Sequence, residues 1–287
     1  MVMINLELIR KEKPIKELLN FSIINIDKPT GPTSFTVSHF IMHALQLNKT
    51  SHFGTLDPMV TGVLPIALGR ACRLNEYFMH RNKTYVGIMR LHKEINQKEL
   101  DETIKKFIGK INQLPPVKSR VKRAIREREI FSFNIIEVDG KDVLFETEVQ
   151  AGTYIRKLCD DMGKEIGGAH MLELRRTKAG LFDESNAITL YEFEKALIEY
   201  GKGNDLSLRS ILTPAEIITE LLPSIEVKQD AVKKLLTGKP LFSNDLQGKF
   251  NLEEGDKFIV MHKDRIIGFY SVKEEGDIIA KPEFVLN

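Results

Sequence analysis

The stretch Gly54-Thr55-Leu56-Asp57-Pro58 holds the residue best suited to chemistry. A carboxylate there can act as nucleophile, base or anchor, on a stiff backbone. Proline after Asp57 keeps that aspartate out of the α region, and Gly54 accepts an unusual φ or a close neighbour. The commoner role of such an aspartate is to accept backbone hydrogen bonds in a turn, and the pentapeptide alone leaves both roles open. Two further segments bear on the choice. Gly152-Thr153-Tyr154-Ile155-Arg156 opens a helix directly after a strand. With Ile155, Leu158 and Cys159 facing the core, Arg156 falls at the exposed border near the helix start. A cation there opposes the helix dipole, so a carboxylate or phosphate partner is expected. An Arg–Asp pair would fix the direction of the carboxylate; the alternative is a plain surface arginine. In Lys83-Thr84-Tyr85 a tyrosine enters a strand, either as core with its hydroxyl satisfied at the edge or as a platform for a flipped base. His39 and His43 are the one histidine pair at i, i+4 spacing, and no third ligand is suggested nearby, so no metal site is expected.

The elements that must position these residues follow from pattern. Residues 1–20 are polar with scattered Leu and Ile and read as an N-terminal extension that docks on the C-terminal part. FSIINIDKPTGPTSF starts as a strand and ends in a turn fixed by Pro29, Gly31 and Pro32. Thr33 or Ser34 caps a helix with Val37, Phe40, Ile41 and Leu45 on its apolar face. SHFGTLDPMVTGVLPIALGRA reads as a structured loop running into the apolar stretch Val63–Leu68. KTYVGIMRLH reads as a strand and KELDETIKKFIGKI as an amphipathic helix ended near Gly109. Two β-branched and aromatic runs meet at Asp139-Gly140, a hairpin signal. Capping boxes are expected at Thr189 with Glu192 and at Thr213 with Glu216. After Pro223 short strands with turns near Gly255, Asp264 and Gly276 suggest a small β-barrel. The expected division is 1–20, 21–220 and 221–287. The fold class is α+β, with a mixed, mainly antiparallel sheet, flanking helices and a small C-terminal β-barrel.

The 287 residues suit two domains, and 42% hydrophobic with 29% charged residues suits a folded core. No apolar run approaches the roughly 20 residues that span a bilayer, and the N-terminus lacks a secretory signal pattern. A membrane partner is not expected, and the cytoplasm is the simplest compartment. Cys72 and Cys159 stand far apart, so neither a disulfide scaffold nor a cysteine zinc site is expected. Phosphate-loop, dinucleotide, zinc-protease and nucleophile-elbow motifs are absent from the sequence. Net charge is only +2, from 42 Lys+Arg and 40 Asp+Glu. Its distribution says more: Lys118, Arg120, Lys122, Arg123, Arg126 and Arg128 crowd one stretch, either a solvated surface or a polyanion track.

HFGTLDPMVTGVLPIAL, KTYVGIMRLH, AGTYIRKLCDDMG and GAHMLELRR, in that order across most of residues 21–180, resemble the motifs of the TruB-type pseudouridine synthases. DKPTGPTSF, QLPPVKSRVKRAIREREIF and AHMLELRRTKAG are similar to the archaeal and eukaryotic branch, the dyskerin-like catalytic subunit of H/ACA guide-RNA ribonucleoproteins. The resemblance implies an isomerase that breaks the N1–C1′ bond of uridine, turns the base and joins C5 to C1′, with no cofactor and no metal. It implies Asp57 as the essential carboxylate, as nucleophile or base. Tyr85 would pack on the target base, and Arg156 would pair with the aspartate. Tyr154 and Leu174 would line the base pocket, and His52 would hold the flipped nucleotide. Lys83, Arg175 and Arg176 would meet phosphates or support the site, and the stretch from Lys118 to Arg128 would track RNA backbone. The partners implied are substrate RNA, guide RNA and small H/ACA protein subunits. AVKKLLTGKPLF and EEGDKFIVMHKDRIIGFY resemble a PUA domain, in which Lys239 would contact phosphate. Phe53, where the family commonly has a small residue, would narrow the entrance beside Asp57. Two other readings remain: a stand-alone synthase acting on a tRNA T-loop, and a non-catalytic RNA scaffold.

Overall fold

The computed structural model describes residues 4–115, 122–248 and 251–287. In chain order, helices α1 (Leu6–Glu12) and α2 (Ile15–Asn20) precede strand β1 (Phe21–Lys28). Next come α3 (Ser34–Ala44), β2 (Thr50–His52), β3 (Thr61–Gly69), α4 (Asn75–Met79), β4 (Lys83–Leu91), α5 (Gln97–Phe107) and β5 (Gly109–Gln113). They are followed by β6 (Arg126–Asp139), β7 (Asp142–Val149), α6 (Ile155–Glu165), β8 (Ala169–Ala179), β9 (Phe182–Asp183), α7 (Leu190–Gly201) and α8 (Leu206–Ser210). The chain then runs through β10 (Thr213–Pro214), β11 (Ser224–Glu226), α9 (Gln229–Leu236), β12 (Leu241–Phe242), β13 (Lys257–His262), β14 (Arg265–Glu275) and β15 (Ile278–Val285). The fold is mixed α+β, and the chain divides into two compact units.

The larger unit covers residues 24–68 and 72–211. Its sheet runs β1-β3-β8-β4-β7-β6-β5, with β2 paired to β3 and β9 to β8. The pairs β4–β7, β4–β8, β5–β6 and β6–β7 are antiparallel, whereas β3–β8 is parallel. Sequence explains the layers. Strand β4 alternates, burying Lys83, Tyr85, Gly87, Met89 and Leu91 on one face. Strand β3 is an unbroken apolar run, and Val63, Leu64, Ile66, Ala67 and Leu68 are all fully buried, as a central strand requires. The hairpin expected at Asp139-Gly140 joins β6 to β7, with Gly140 at φ +55°. Thr189 and Glu192 make the expected capping box of α7. Helix α3 buries Val37 and Ile41, but Phe40 stays 38% exposed.

Gly62 lies at the closest approach of β3 to β8, opposite Arg176. Its φ is +100°, and a Cβ there would stand 2.2 Å from the carbonyl oxygen of Arg176. Only glycine fits this register without pushing the two strands apart.

The smaller unit comprises the described part of residues 1–23 together with 69–71 and 212–287. Its C-terminal stretch begins at Leu212. There β10 pairs with the first residues of β1, Ser22 with Pro214 and Ile23 with Thr213, far apart in sequence. The capping box expected at Thr213 is absent. Thr213 and Pro214 are extended, Ala215–Glu220 is a 3₁₀ turn, and Glu216 instead binds Lys13 Nζ at 2.6 Å. Five strands form a second sheet in the order β11-β13-β14-β15-β12. The segments after its two end strands meet through an antiparallel bridge between Val227 and Leu246. Lys228 N–H donates to Asp245 and Gln247 N–H donates to Glu226 across that bridge, so the sheet curls back on itself. Phe258, Val260, Ile267, Tyr270 and Val272 fill its interior, with Ala231 and Leu235 of α9 packed against them.

Candidate active site

The site lies in the larger unit, on the loop between β2 and β3. That loop is tied down on both sides of Asp57. Ser34 Oγ accepts the Leu56 N–H at 2.8 Å and donates to the Leu56 carbonyl at 3.0 Å. On the other side Pro58 O accepts from Gly31 N–H at 2.9 Å and from Lys28 Nζ at 3.2 Å. Lys28 is fully buried, and its ammonium also donates to Pro29 O and Pro32 O at 2.7 and 2.9 Å. Burial lowers the Lys28 pKa and the charge of Asp57 opposes that shift. The turn predicted at DKPTGP is thus a brace for the Asp57 backbone, while the Asp57 side chain points out.

Asp57 Oδ2 accepts a hydrogen bond from Arg156 Nη2 at 2.6 Å. The two side chains are 56% and 54% exposed. An ion pair so open to water contributes only about 0–1 kcal/mol to stability. Its effect is on direction: the guanidinium holds one carboxylate oxygen and leaves the other facing solvent. Arg156 stands in the first turn of α6, where the sequence calls for an anionic partner, and Asp57 is that partner.

Beneath the loop lies a buried cation. Arg176 is 1% exposed. Its Nε donates to Val63 O at 2.8 Å and its Nη2 to Gly54 O at 3.0 Å. Arg176 faces Tyr85 in the β4–β8 register, and the Tyr85 side chain opposes the lowering of the Arg176 pKa by burial. Arg176 therefore ties the start of the Asp57 loop to Tyr85, itself 9% exposed on β4. His52, at the end of β2, lies within hydrogen-bonding distance of Thr55 Oγ1, 3.1 Å from Nε2. Burial, and then the Arg176 charge, hold His52 below its ordinary pKa. Leu174 is buried on β8 opposite Gly87. Tyr154 is the N-cap residue of α6, and its peptide is gripped by the buried side chain of Gln113.

The structure places the other charged residues of the expected set as follows. Arg176 has no surface to offer a phosphate. Arg175 is engaged by Asp27 at 2.8 and 3.0 Å and by Glu184 at 2.5 Å. Lys83 is 5% exposed and donates to the carbonyls of Met79 and Arg81. Arg176 and Lys83 lie against Gly54 of the Asp57 loop, whereas Arg175 is held by Asp27 and Glu184. Phe53 does not narrow an entrance: it is 1% exposed and stacks on Phe78 with centroids 4.6 Å apart. Within the basic stretch Lys122 and Arg123 are exposed and Arg126 and Arg128 half-buried. The Arg128 guanidinium packs over Gly152, 3.2 Å from where a Cβ would stand. Lys118 and Arg120 lie outside the described residues. Lys239 is exposed, in the smaller unit. Among the described residues no cluster of three or more His, Cys, Asp or Glu side chains could hold a metal ion.

Lys83 gives a pH signature. Burial, with the Arg176 charge second, lowers its pKa from 10.5 to about 7. Between those two values the unfolded chain binds a proton that the folded chain does not, so stability rises with pH through that window. Urea unfolding of wild type and Lys83→Met at pH 6.5 and 9.5 checks this. The stability difference should move in favour of wild type at the higher pH; parallel behaviour would contradict a depressed Lys83.

Comparison with known proteins agrees with the geometry. The family model described as TruB family pseudouridylate synthase (N terminal domain) matches residues 42–102 and 92–155. A second, tRNA pseudouridylate synthase B C-terminal domain, matches 156–220. The chain is 46% identical over 234 residues to a probable tRNA pseudouridine synthase B of Methanopyrus kandleri, covering 80% of this chain and 69% of that protein. It is 40% identical over 273 residues to a protein of the same name from Methanococcus maripaludis, covering 94% and 80%. Among solved structures, a chain of a Cbf5-Nop10-Gar1 complex is similar with TM-score 0.86 and 35% identity, over 96% of this chain and 88% of that one. A chain of an H/ACA RNP bound to a substrate RNA containing 2′-deoxyuridine is similar with TM-score 0.84 and 34% identity, over 96% and 88%. The chain belongs to the TruB family of pseudouridine synthases, isomerases that convert uridine to pseudouridine in RNA.

Proposed function

We propose that this synthase works as the catalytic subunit of a guide-RNA ribonucleoprotein of the H/ACA kind, with Asp57 as its reacting carboxylate. The observation that carries this reading is that the likeness to the Cbf5-containing complexes runs through both units of the chain. The smaller unit is then a PUA-like RNA-binding domain, and small protein subunits of the Nop10 and Gar1 type are its partners. Its setting is the cytoplasm, in keeping with two free cysteines, Cys72 and Cys159.

In the reaction Asp57 meets the ribose of an extruded uridine, as nucleophile or as base, while the N1–C1′ bond breaks. The uracil turns in place, C5 bonds to C1′, the C5 proton leaves to water, and the freed N1 takes up a proton. No atom is gained or lost overall. Arg156 keeps the carboxylate aimed, and Tyr85 and Leu174 give the base an apolar and aromatic surface. Base extraction costs a few kcal/mol, and aromatic stacking returns about 1–3 kcal/mol. A guide that already holds the uridine unpaired lowers that cost. Lys122, Arg123, Arg126 and Arg128 then supply the backbone contacts.

The name of the curated relatives favours a second reading, a stand-alone enzyme acting on tRNA. Mass-spectrometric mapping of pseudouridine decides between them. The guided reading expects modification of target RNA to rise at least about 10-fold when guide and accessory subunits are added. Full-rate modification of tRNA by the protein alone would overturn strict guide dependence.

A further inference from the structure

Gln113, the last residue of β5, is 2% exposed. A buried amide needs partners at both ends, and here both ends meet one peptide unit's residue. Tyr154 N–H donates to Gln113 Oε1 at 2.8 Å, and Gln113 Nε2 donates to Tyr154 O at 3.1 Å. A flipped amide would set donor against donor and acceptor against acceptor, so the chemistry fixes the orientation.

Tyr154 caps α6 without a side-chain cap hydrogen bond. Its carbonyl accepts the Leu158 N–H at 2.9 Å, the bond that starts the helix. The start of α6 is therefore located from outside, by Gln113. Two residues further on, Arg156 reaches Asp57. The reacting pair is open to water, and the hydrogen bond of the guanidinium to Asp57 is itself exposed. Its direction comes from where the first helical turn sits. The other supports of this turn come from the same strands. Gln150 N–H donates to Glu129 O at 2.8 Å, Thr153 Oγ1 donates to Gln150 O at 2.8 Å, and Arg126 faces Gln113 in the β5–β6 register.

We propose that Gln113 is a positioning residue: by clamping the Tyr154 backbone it sets the direction of Arg156, and through it that of the Asp57 carboxylate. This rests on Asp57 and Arg156 being the reacting pair. A displacement of about 1 Å at a reacting group costs on the order of 10²-fold in rate.

Two variants test it, under single turnover with saturating RNA and at a temperature where each variant is folded. Gln113→Met keeps length and removes both hydrogen bonds. Its rate of isomerisation should fall about 10- to 100-fold while RNA affinity stays within about 3-fold. Gln113→Glu, when protonated, has the same donor and acceptor pattern as the amide; when ionised, it sets a carboxylate against the Tyr154 carbonyl. Its rate divided by the wild-type rate should rise as pH falls from 8 to 6, which a purely structural role at constant folded fraction would not produce. Wild-type rates in both variants, or a loss confined to RNA affinity, would overturn the inference. Asp57→Asn measured alongside separates the two claims. If it is inactive, a normal Gln113→Met removes only the clamp; if it is active, the reading of the site itself fails.

Discussion

Asp57→Asn should bind RNA and unfold like the wild type yet isomerise uridine at least about 10³-fold more slowly. The argument combines two observations. The side chain is 56% exposed, and its partner Arg156 is nearly as open at 54%. Its removal therefore costs stability only about 0–1 kcal/mol. The loop backbone that carries it is held by Ser34, Lys28 and Gly31, none of which touches the carboxylate. The amide substitution leaves that frame in place and takes away only the nucleophilic or basic oxygen. RNA affinity should stay within about 3-fold, because on the proposed reading the backbone contacts come from arginines and lysines elsewhere. A large drop in melting temperature would show that the loop is not pre-braced as described.

Gly62→Ala should do the reverse and damage the fold first. Its Cβ would stand 2.2, 2.9 and 3.0 Å from the backbone O, N and C of Arg176, at a φ of +100°. Backbone atoms in a paired strand cannot yield as a flexible side chain does. The parallel β3–β8 pairing has to open, and Arg176 moves with it. A loss of about 4 kcal/mol or more is expected, in the rare severe class for a single methyl. Because Arg176 carries Gly54 and Tyr85, activity should fall even in whatever fraction remains folded. Chemical denaturation of Gly62→Ala beside Gly238→Ala checks this, since no atom lies within 4 Å of a Cβ at Gly238. Equal losses in the two variants would show that φ strain alone, and not the strand contact, sets the cost.

Much of the site is legible in the sequence because its logic is local. A cation misplaced at a helix start asks for an anion, and the stiff Asp-Pro turn offers one. What the sequence hides is the inside of the sheet. For Lys83 and Arg176 the sequence leaves open whether they meet phosphates or support the site, since charged side chains are rarely buried. Yet strand alternation carried the signal: Arg176 shares a face with Leu174, and Lys83 shares one with Tyr85 and Met89. Gln113 carried none, since a polar residue ending a strand before two prolines looks like any loop entry. Phe53 was misplaced for a related reason, its aromatic partners Phe78 and Phe182 being distant in sequence. The small unit's stretch from Leu212 pairs with β1, a long-range contact no local pattern reveals.

The most direct measurement uses the atom that must leave. When C5 of uracil bonds to C1′, the hydrogen on C5 is released, so RNA carrying 5-tritiated uridine reports each isomerisation as tritium in water. With enzyme in excess over RNA, and guide and partner subunits present, wild-type protein should release the label from the target uridine. Asp57→Asn, bound to the same RNA, should release none above background. Release at the wild-type rate by Asp57→Asn would contradict the account.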